Sequence, residues 1–474
     1  MSIRLYNTLT GEKELLETLE PGVVKFYACG PTVYNLFHIG NGRMFVVFDT
    51  IRRYLEYRGY EVRYVQNFTD VDDRIIQRAN ETGEGVRSVA NHYIEAYFED
   101  ADRLNIRRAT VHPRVTECIP DIIRFIEELM AKGHAYERGG TVYFDTYTFS
   151  DYGKLSGQSL DSMRAGFRVD VIEDKKHPTD FALWKAAKPD EEFWPSPWGN
   201  GRPGWHIECS VMNEKYLGEQ IDIHAGGRDL VFPHHENEIA QTEAKTGKLF
   251  ARYWLHNGTL NINGEKMSKS TGNFIMTRDL LNQKDPRAIR LFLLSAHYRH
   301  PLNYTEEALG HWENALGRID RTLRNLEFRR QAILQAPEFL SIRSGPQKST
   351  EQEVESTRSA FIREMDDDFN TADAIAVLFE GVRLANQTLA DDTATLGDVE
   401  IWSQLLTECL DVLGIGLPQE QSQVEVAEIE QLLEERRQAR LQRDFARADE
   451  IRAWLLERGI VIEDTAQGTR WIRQ

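Results

Sequence analysis

The sequence predicts an α/β chain: a parallel-sheet domain interrupted by an insertion, then an α-helical bundle, then a small mixed α/β unit. Three observations carry this prediction. Residues 23–67 read as strand, glycine-containing turn, helix and strand, the pattern of a βαβ unit. From about residue 303 the apolar spacing is helical almost throughout. The last 50 residues read as a helix pair followed by strand, turn, strand.

Each element has a local reason. Residues 23–29 alternate weakly and are rich in β-formers, and Gly30-Pro31-Thr32 ends the run. Residues 43–58 place Phe45, Phe48, Ile51 and Leu55 at helical spacing and stop at Gly59. Residues 61–67 form the second strand. Such a unit puts ligands at the carboxyl ends of its strands. Residues 86–135 look mostly helical. Residues 135–200 are richer in turns, with Asp151-Tyr152-Gly153 and Trp194-Pro195-Ser196-Pro197-Trp198, and read as the insertion. After Ile221-Asp222-Ile223-His224, sheet-like and helical segments alternate again to about residue 300. The polar stretch 345–351 interrupts the bundle, and residues 416–423 are the best linker.

Composition excludes several function classes. The 474 residues carry 75 acidic and 57 basic side chains, a net charge of −18, so a uniformly basic nucleic-acid coat is excluded. Any nucleic-acid binding must come from local patches. An apolar content of 41% is ample for several cores. At about 150 residues per domain the length gives roughly three domains. No apolar run approaches the ~20 residues that cross a bilayer, and no secretory leader is expected at the N-terminus. The four cysteines, at 29, 118, 209 and 409, have no paired spacing, so a reducing cytoplasm is expected.

Two motifs point to phosphate chemistry. His38-Ile39-Gly40-Asn41 lies where the first strand turns into the first helix. Glycines at 40 and 42 permit close approach, and a helix N-terminus offers unpaired N–H groups to an anion. Lys266-Met267-Ser268-Lys269-Ser270 follows the turn Asn263-Gly264 and brings two lysines three apart to a hydroxyl-rich loop. Together, 228 residues apart, they resemble the paired signatures of class I aminoacyl-tRNA synthetases. The resemblance implies a Rossmann-type sheet, with ATP held by His38, Gly40 and Asn41 on one side and by Lys266, Ser268 and Lys269 on the other. It also implies Mg²⁺ accompanying ATP. His38, Asn41, Lys266 and Lys269 are then the catalytic set. Asn41 departs from the commonest pattern, a second histidine, and donates a hydrogen bond without carrying charge.

Other residue types suit a metal. Cys29 ends the first strand, Cys209 sits in Trp205-His206-Ile207-Glu208-Cys209, and Pro233-His234-His235-Glu236-Asn237-Glu238 opens a helix. His234 and Glu238 stand i,i+4 on one face; His235, three residues before Glu238, stays an alternative. Two thiolates, an imidazole and a carboxylate suit Zn²⁺. The stretches 29–34, 67–73, 203–210 and 226–238 are similar to the cysteinyl-tRNA synthetase family. That resemblance implies one zinc on Cys29, Cys209, His234 and Glu238, binding the substrate thiol directly. It further implies an amino-acid pocket lined by Thr69, Trp205, His224 and Asp229. Zinc favours thiolate over hydroxyl, which separates cysteine from serine where shape cannot.

Residues 434–458 carry seven arginines against six acids, and arginine is the sole cation there. Arg440, Arg443 and Arg447 are the candidate tRNA contacts. Met365-Asp366-Asp367-Asp368 resembles the family's anticodon-side bundle, although the aspartates alone read as a helix-N-terminal cluster. The expected organisation is a catalytic domain over 1–120 and 201–302, with the metal ligands and the lysine loop in its second half. A connective insertion covers 121–200, a stem-contact and anticodon-side bundle 303–415, and an anticodon-recognition domain 424–474. The function implied is ligation of cysteine to the 3′ end of tRNA(Cys) by a monomer. Two rivals share motifs: a cysteine ligase for an amino sugar, as in mycothiol synthesis, which would lack the region after about 410, and a catalytically silent RNA-binding paralogue, supported by Asn41 alone.

Overall fold

The computed structural model describes residues 2–160, 175–189, 191–267, 273–335, 345–416, 419–458, 460–465 and 468–473. They divide into two compact units: 1–309 with 364–372, and 310–363 with 373–474. The first unit is built on a four-stranded sheet ordered Ala251–Asn257, Ile221–Gly227, Val23–Ala28, Glu61–Gln66. Every neighbouring pair is parallel. Helix Ile39–Tyr57 makes the crossover between Val23–Ala28 and Glu61–Gln66, as the βαβ pattern requires. It begins four residues before the apolar spacing predicts, because the His38 side chain caps it by accepting from the Asn41 backbone N–H at 3.2 Å.

The insertion forms an antiparallel sheet, Ala135–Arg138, Thr141–Phe144, Phe181–Ala186 and Gly201–Pro203. Phe144, Leu183 and Trp184 share one buried core with Tyr27, Cys29, Cys209 and the helices Ile119–Ala131 and Trp205–Leu217. Burial on that scale stabilises by roughly 25 cal/mol for each Å² of apolar surface removed from water. Among the described residues, no helix is long and apolar enough to cross a membrane.

Asp366, Asp367 and Asp368 are not a helix-N-terminal cluster. Helix Lys348–Asp366 ends on them, the backbone turns through positive φ at Asp368 and Phe369, and the next helix starts at Thr371. Asp366 accepts from the Tyr54 hydroxyl at 2.6 Å. Asp368, fully buried, accepts from the Tyr6 N–H, the Tyr298 hydroxyl and Arg299 at 2.7–2.8 Å. These aspartates hold the turn 364–372 within the first unit.

The second unit contains helices Thr371–Ala390, Leu396–Leu413, Gln419–Leu441 and Phe445–Glu457, then the hairpin Ile460–Thr465 with Gly468–Arg473. Ile429, Ile451, Leu455, Ile460 and Ile462 form the small terminal core, and Trp471 packs against it. Trp471 is thus spent on the core side of the hairpin.

Candidate active site and metal centre

The two phosphate motifs meet at the N-terminus of helix Ile39–Tyr57. Residues 37–39 pair with 275–277: the Ile39 N–H donates to the Ile275 carbonyl at 3.0 Å and the Thr277 N–H to the Phe37 carbonyl at 3.1 Å. The His38 ring stands edge-on to Phe274, centroids 4.8 Å apart. A Cβ on Gly40 would lie 2.9 Å from Met267 Cε, and one on Gly42 would lie 3.1 Å from Thr277 Oγ1. Glycine at these two positions leaves room for the close approach of Met267 and Thr277. The first turn of the helix holds no acidic residue, so its N–H groups face no competing carboxylate of their own. The Lys266 backbone pairs with Asn261 in a short hairpin. Ser268, Lys269 and Ser270 lie outside the described residues.

At the same carboxyl edge of the sheet stands the donor cluster. Cys29 follows strand Val23–Ala28, Cys209 comes from helix Trp205–Leu217, and Glu238 from helix Glu236–Thr246. His234 belongs to the turn Val231–His235 that leads into that last helix, after a cis Phe232–Pro233 bond. The four donor atoms lie within 4.8 Å of one another and all four residues are buried. Cys29 Sγ to Cys209 Sγ is 3.9 Å, Cys209 Sγ to His234 Nε2 is 3.6 Å, and Cys29 Sγ to Glu238 Oε1 is 3.7 Å. His234 Nε2 is 3.0 Å from Glu238 Oε1.

Burial raises the pKa of Cys29 and Glu238 well above their ordinary values and lowers that of His234 well below its own. Left alone, the two thiols, the imidazole and the carboxyl are thus driven toward their neutral forms. A cation at its centre reverses the preference of the thiols and the carboxyl, favouring thiolates and carboxylate, and binds the imidazole in the neutral form that burial already favours. The donor chemistry therefore fits a metal ion.

His234, not His235, stands with Cys209 and Glu238. His235 approaches Cys29 from another side, Nε2 to Sγ 3.3 Å, while its Nδ1 bonds His256 at 2.8 Å. Cys29, His224 and His235 form a second, three-donor grouping. Neighbours orient the ligands. His206 Nδ1 lies 2.9 Å from His234 Nδ1, leaving His234 Nε2 to face the cluster. His224 Nε2 lies 2.9 Å from Glu238 Oε2, leaving Oε1 for the same purpose. Burial lowers the pKa of His206 and His224 to about 3, so both are neutral imidazoles.

Of the expected pocket residues, Trp205 and His224 touch the ligands directly, through His234 and Glu238. The Trp205 ring stacks on His234 at 4.2 Å between centroids and stays 38% exposed, so it is not a core residue. Buried Thr69 donates its hydroxyl to Glu208 at 2.8 Å, and Asp229 lies exposed on the turn Arg228–Leu230. Arg440 ends one C-terminal helix region, Arg443 turns the chain at φ 60°, and Arg447 opens the next helix, where Asp444 caps it. Arg447 also pairs with Glu435 and Glu450 at 2.8 and 2.7 Å.

Sequence reasoning overlooked Tyr27, His206, Glu208 and His256. Two of them carry a spacing signal: Tyr27 stands two residues before Cys29, near the end of the strand that Cys29 follows, and His206 three before Cys209 on a helix. His256 reaches the site only through sheet order.

Known proteins resemble this chain along its whole length. Residues 15–314 match the family described as tRNA synthetases class I (C) catalytic domain, residues 360–418 the DALR domain, and residues 425–471 the cysteinyl-tRNA ligase anticodon binding domain. Among curated relatives, the cysteine–tRNA ligase of Geobacillus thermodenitrificans is 56% identical over 472 residues, covering 100% of this chain and 99% of the relative. That of Anoxybacillus flavithermus is 55% identical, with all of both chains covered. Among solved structures, Mycobacterium tuberculosis methionyl-tRNA synthetase with methionyl-adenylate superposes with a TM-score of 0.60 at 15% identity, covering 83% of this chain and 90% of that one. The LeuRS of Agrobacterium radiobacter K84 in a ternary complex gives 0.61 at 11% identity, covering 84% and 85%. At those identities the likeness is one of fold, whereas the curated relatives and the catalytic-domain match establish kinship: the chain belongs to the cysteinyl-tRNA ligase family of class I aminoacyl-tRNA synthetases.

Proposed function

We propose that the chain activates cysteine with ATP and transfers it to the 3′ end of tRNA(Cys), with a zinc ion on Cys29, Cys209, His234 and Glu238 selecting the substrate. The observation that carries this reading is the buried four-donor cluster at the sheet edge that also holds the first phosphate motif. Its edges of 3.9, 3.6, 3.7 and 3.0 Å approach the ~3.3–3.8 Å expected of a tetrahedron with Zn–N and Zn–S bonds near 2.0–2.3 Å. When bound, the metal would stabilise the substrate sulfur as thiolate.

The remaining work falls to the chain. The cysteine carboxylate oxygen attacks the α-phosphorus of ATP, forming an O–P bond as pyrophosphate leaves. A terminal ribose hydroxyl of tRNA then attacks the adenylate carbonyl, loses its proton, and AMP leaves. Neither step needs a covalent enzyme intermediate, so catalysis is positioning and charge stabilisation. His38, Gly40 and Asn41 present the helix N-terminus to the phosphates, which Mg²⁺ accompanies. Lys266 and Lys269 neutralise the departing pyrophosphate, and Ser268 donates a hydrogen bond to it. Thr69, Trp205, His224 and Asp229 line the amino-acid pocket, and Arg440, Arg443 and Arg447 contact tRNA. A cytoplasmic monomer is the form this reading assumes. The amino-sugar ligase finds less support, because residues 425–471 match an anticodon-binding domain. The silent paralogue finds less as well, since both lysines of the second motif, Lys266 and Lys269, are present.

Cysteine-dependent ATP–pyrophosphate exchange and charging of tRNA(Cys) by purified protein test the proposal. Both activities are expected; absence of exchange in zinc-replete protein would contradict it.

A further inference from the structure

Arg43 lies two residues after the first phosphate motif, in the opening turns of helix Ile39–Tyr57, and is fully buried. Among the described residues no carboxylate pairs with it. Its guanidinium donates instead to three main-chain carbonyls, Nη1 to Gly258 and Thr259 at 3.1 Å each and Nη2 to His297 at 3.2 Å. Burial lowers its pKa only to about 10, so the charge is kept at neutral pH. Each of these carbonyls already accepts another bond. Gly258 takes one from the Asn257 side chain at 2.9 Å, Thr259 from the Leu302 N–H at 3.0 Å, and His297 from the His300 N–H at 2.9 Å. The arginine is thus not needed to satisfy them. A buried cation carries a desolvation cost that a neutral side chain of similar length would avoid.

The three bonds join two chain crossings to the helix. Gly258 and Thr259 lead into strand Leu260–Ile262, which pairs with Glu265–Lys266, the entry to the lysine motif. His297 precedes Leu302–Tyr304, the other neighbour of that strand. The crossings are close: a Cβ on Gly258 would lie 2.4 Å from the His300 carbonyl oxygen, and the Gly258 N–H donates to the Tyr298 carbonyl at 2.7 Å. Beyond the lysine motif the chain returns to the same helix, where 275–277 pair with 37–39. The two ends of this excursion are therefore fastened to one helix start, the exit by backbone pairing and the entry by Arg43.

We infer that Arg43 is a positioning residue of ATP activation, its guanidinium fixing the hairpin that carries Lys266 against the helix N-terminus that carries the first motif. The inference rests on the reading of the two motifs as the phosphate-binding parts of the proposed ligase. A planar fork that reaches three carbonyls on two crossings sets an orientation that a single ammonium does not. Stabilising the charge of a departing pyrophosphate depends on such placement, and an error near 1 Å costs about 100-fold in rate. Arg43, being fully buried, acts through Lys266 and not by touching ATP.

The test is a double-mutant cycle in the full-length chain, read by cysteine-dependent ATP–pyrophosphate exchange. Arg43→Met is expected to lower kcat about 100-fold with the KM for cysteine unchanged, and Lys266→Ala alone to slow exchange as well. In the Lys266→Ala background, Arg43→Met should cost less than about 3-fold more, because its effect runs through the residue already removed. Arg43→Lys keeps the charge without the fork, so it should restore only part of the rate and show the same coupling. This variant decides the question even where Arg43→Met does not fold. Full rate in folded Arg43→Met or in Arg43→Lys, losses that multiply in full with that of Lys266→Ala, or a matching rise in the KM for cysteine overturns the inference. Absence of exchange in the unaltered zinc-replete chain overturns the proposed function itself, and the inference with it.

Discussion

Cys29, Cys209, His234 and Glu238 are each 3% exposed or less, whereas Arg447 keeps 41% of its side chain in solvent and Arg440 and Arg443 stand on the surface. The first group sits in a low-dielectric pocket where one contact is strong and desolvation sets the protonation states. The second is screened by salt, and Arg447 already shares its charge with Glu435 and Glu450. The difference matches the two recognition problems of an aminoacyl-tRNA ligase. Distinguishing sulfur from oxygen in a small amino acid needs a few buried, fixed donors. Holding a polyanion needs many weak, additive contacts, which a chain of net charge −18 can confine to one path.

Four substitutions test that contrast, from the strongest expected effect to the weakest. The first concerns a buried charge with no part in binding. Asp49 pairs with Arg53 at 2.7 Å and with Arg290, all three 6% exposed or less. Asp49→Asn strands two buried guanidinium groups and should cost about 3–5 kcal/mol of stability, read by denaturant unfolding. Burial alone would raise the Asp49 pKa, but Arg290 and Arg53 outweigh it and hold the carboxyl below its ordinary value. Its contribution is therefore present above about pH 4 and lost as pH falls through the lower folded value. A variant as stable as the parent at pH 7 would break the claim that buried charge pairs dominate locally.

Cys209→Ser removes one of four ligands. A structural zinc site is worth about 10–16 kcal/mol, so a quarter of it, about 2.5–4 kcal/mol, should be lost in metal affinity. Elemental analysis after dialysis should show depleted metal, and the apparent KM for cysteine should rise; unchanged metal content and kinetics would refute the site. Lys269→Ala should slow pyrophosphate exchange about 100-fold, the scale of one missing transition-state contact, while tRNA affinity stays nearly intact. A large loss of tRNA binding would move Lys269 to the other side of the comparison. Arg447→Ala should be mildest: tRNA binding weakened by about 1 kcal/mol and the salt slope reduced by about one, with pyrophosphate exchange unaltered.

The two regions were unequally legible in the sequence. The sheet was readable because residues 23–67 contain strand, turn, helix and strand in local order. Cys29 and Cys209, 180 residues apart, had no spacing to join them, and the family resemblance supplied what residue types alone could not. Trp205 reads as core on hydrophobicity, yet the structure spreads it over His234, since an aromatic ring can be apolar and still serve a site. The aspartates at 366–368 suit a helix start, but tertiary partners Tyr54 at Asp366 and Tyr6, Tyr298 and Arg299 at buried Asp368 make them an anchor. Those partners are up to 362 residues away, beyond the reach of any local pattern. Tyr27 was legible in principle, by strand parity with Cys29, and His256 was not.

On the proposed reading, the buried cluster recognises the substrate by its sulfur. Titrating the Co²⁺-loaded chain with cysteine and with serine tests it most directly. Cysteine should add thiolate-to-metal charge-transfer intensity in a saturable, one-to-one manner, and serine should leave the spectrum unchanged at the same concentrations. Equal responses to the two amino acids, or none to cysteine in a protein that still catalyses cysteine-dependent exchange, would contradict the account.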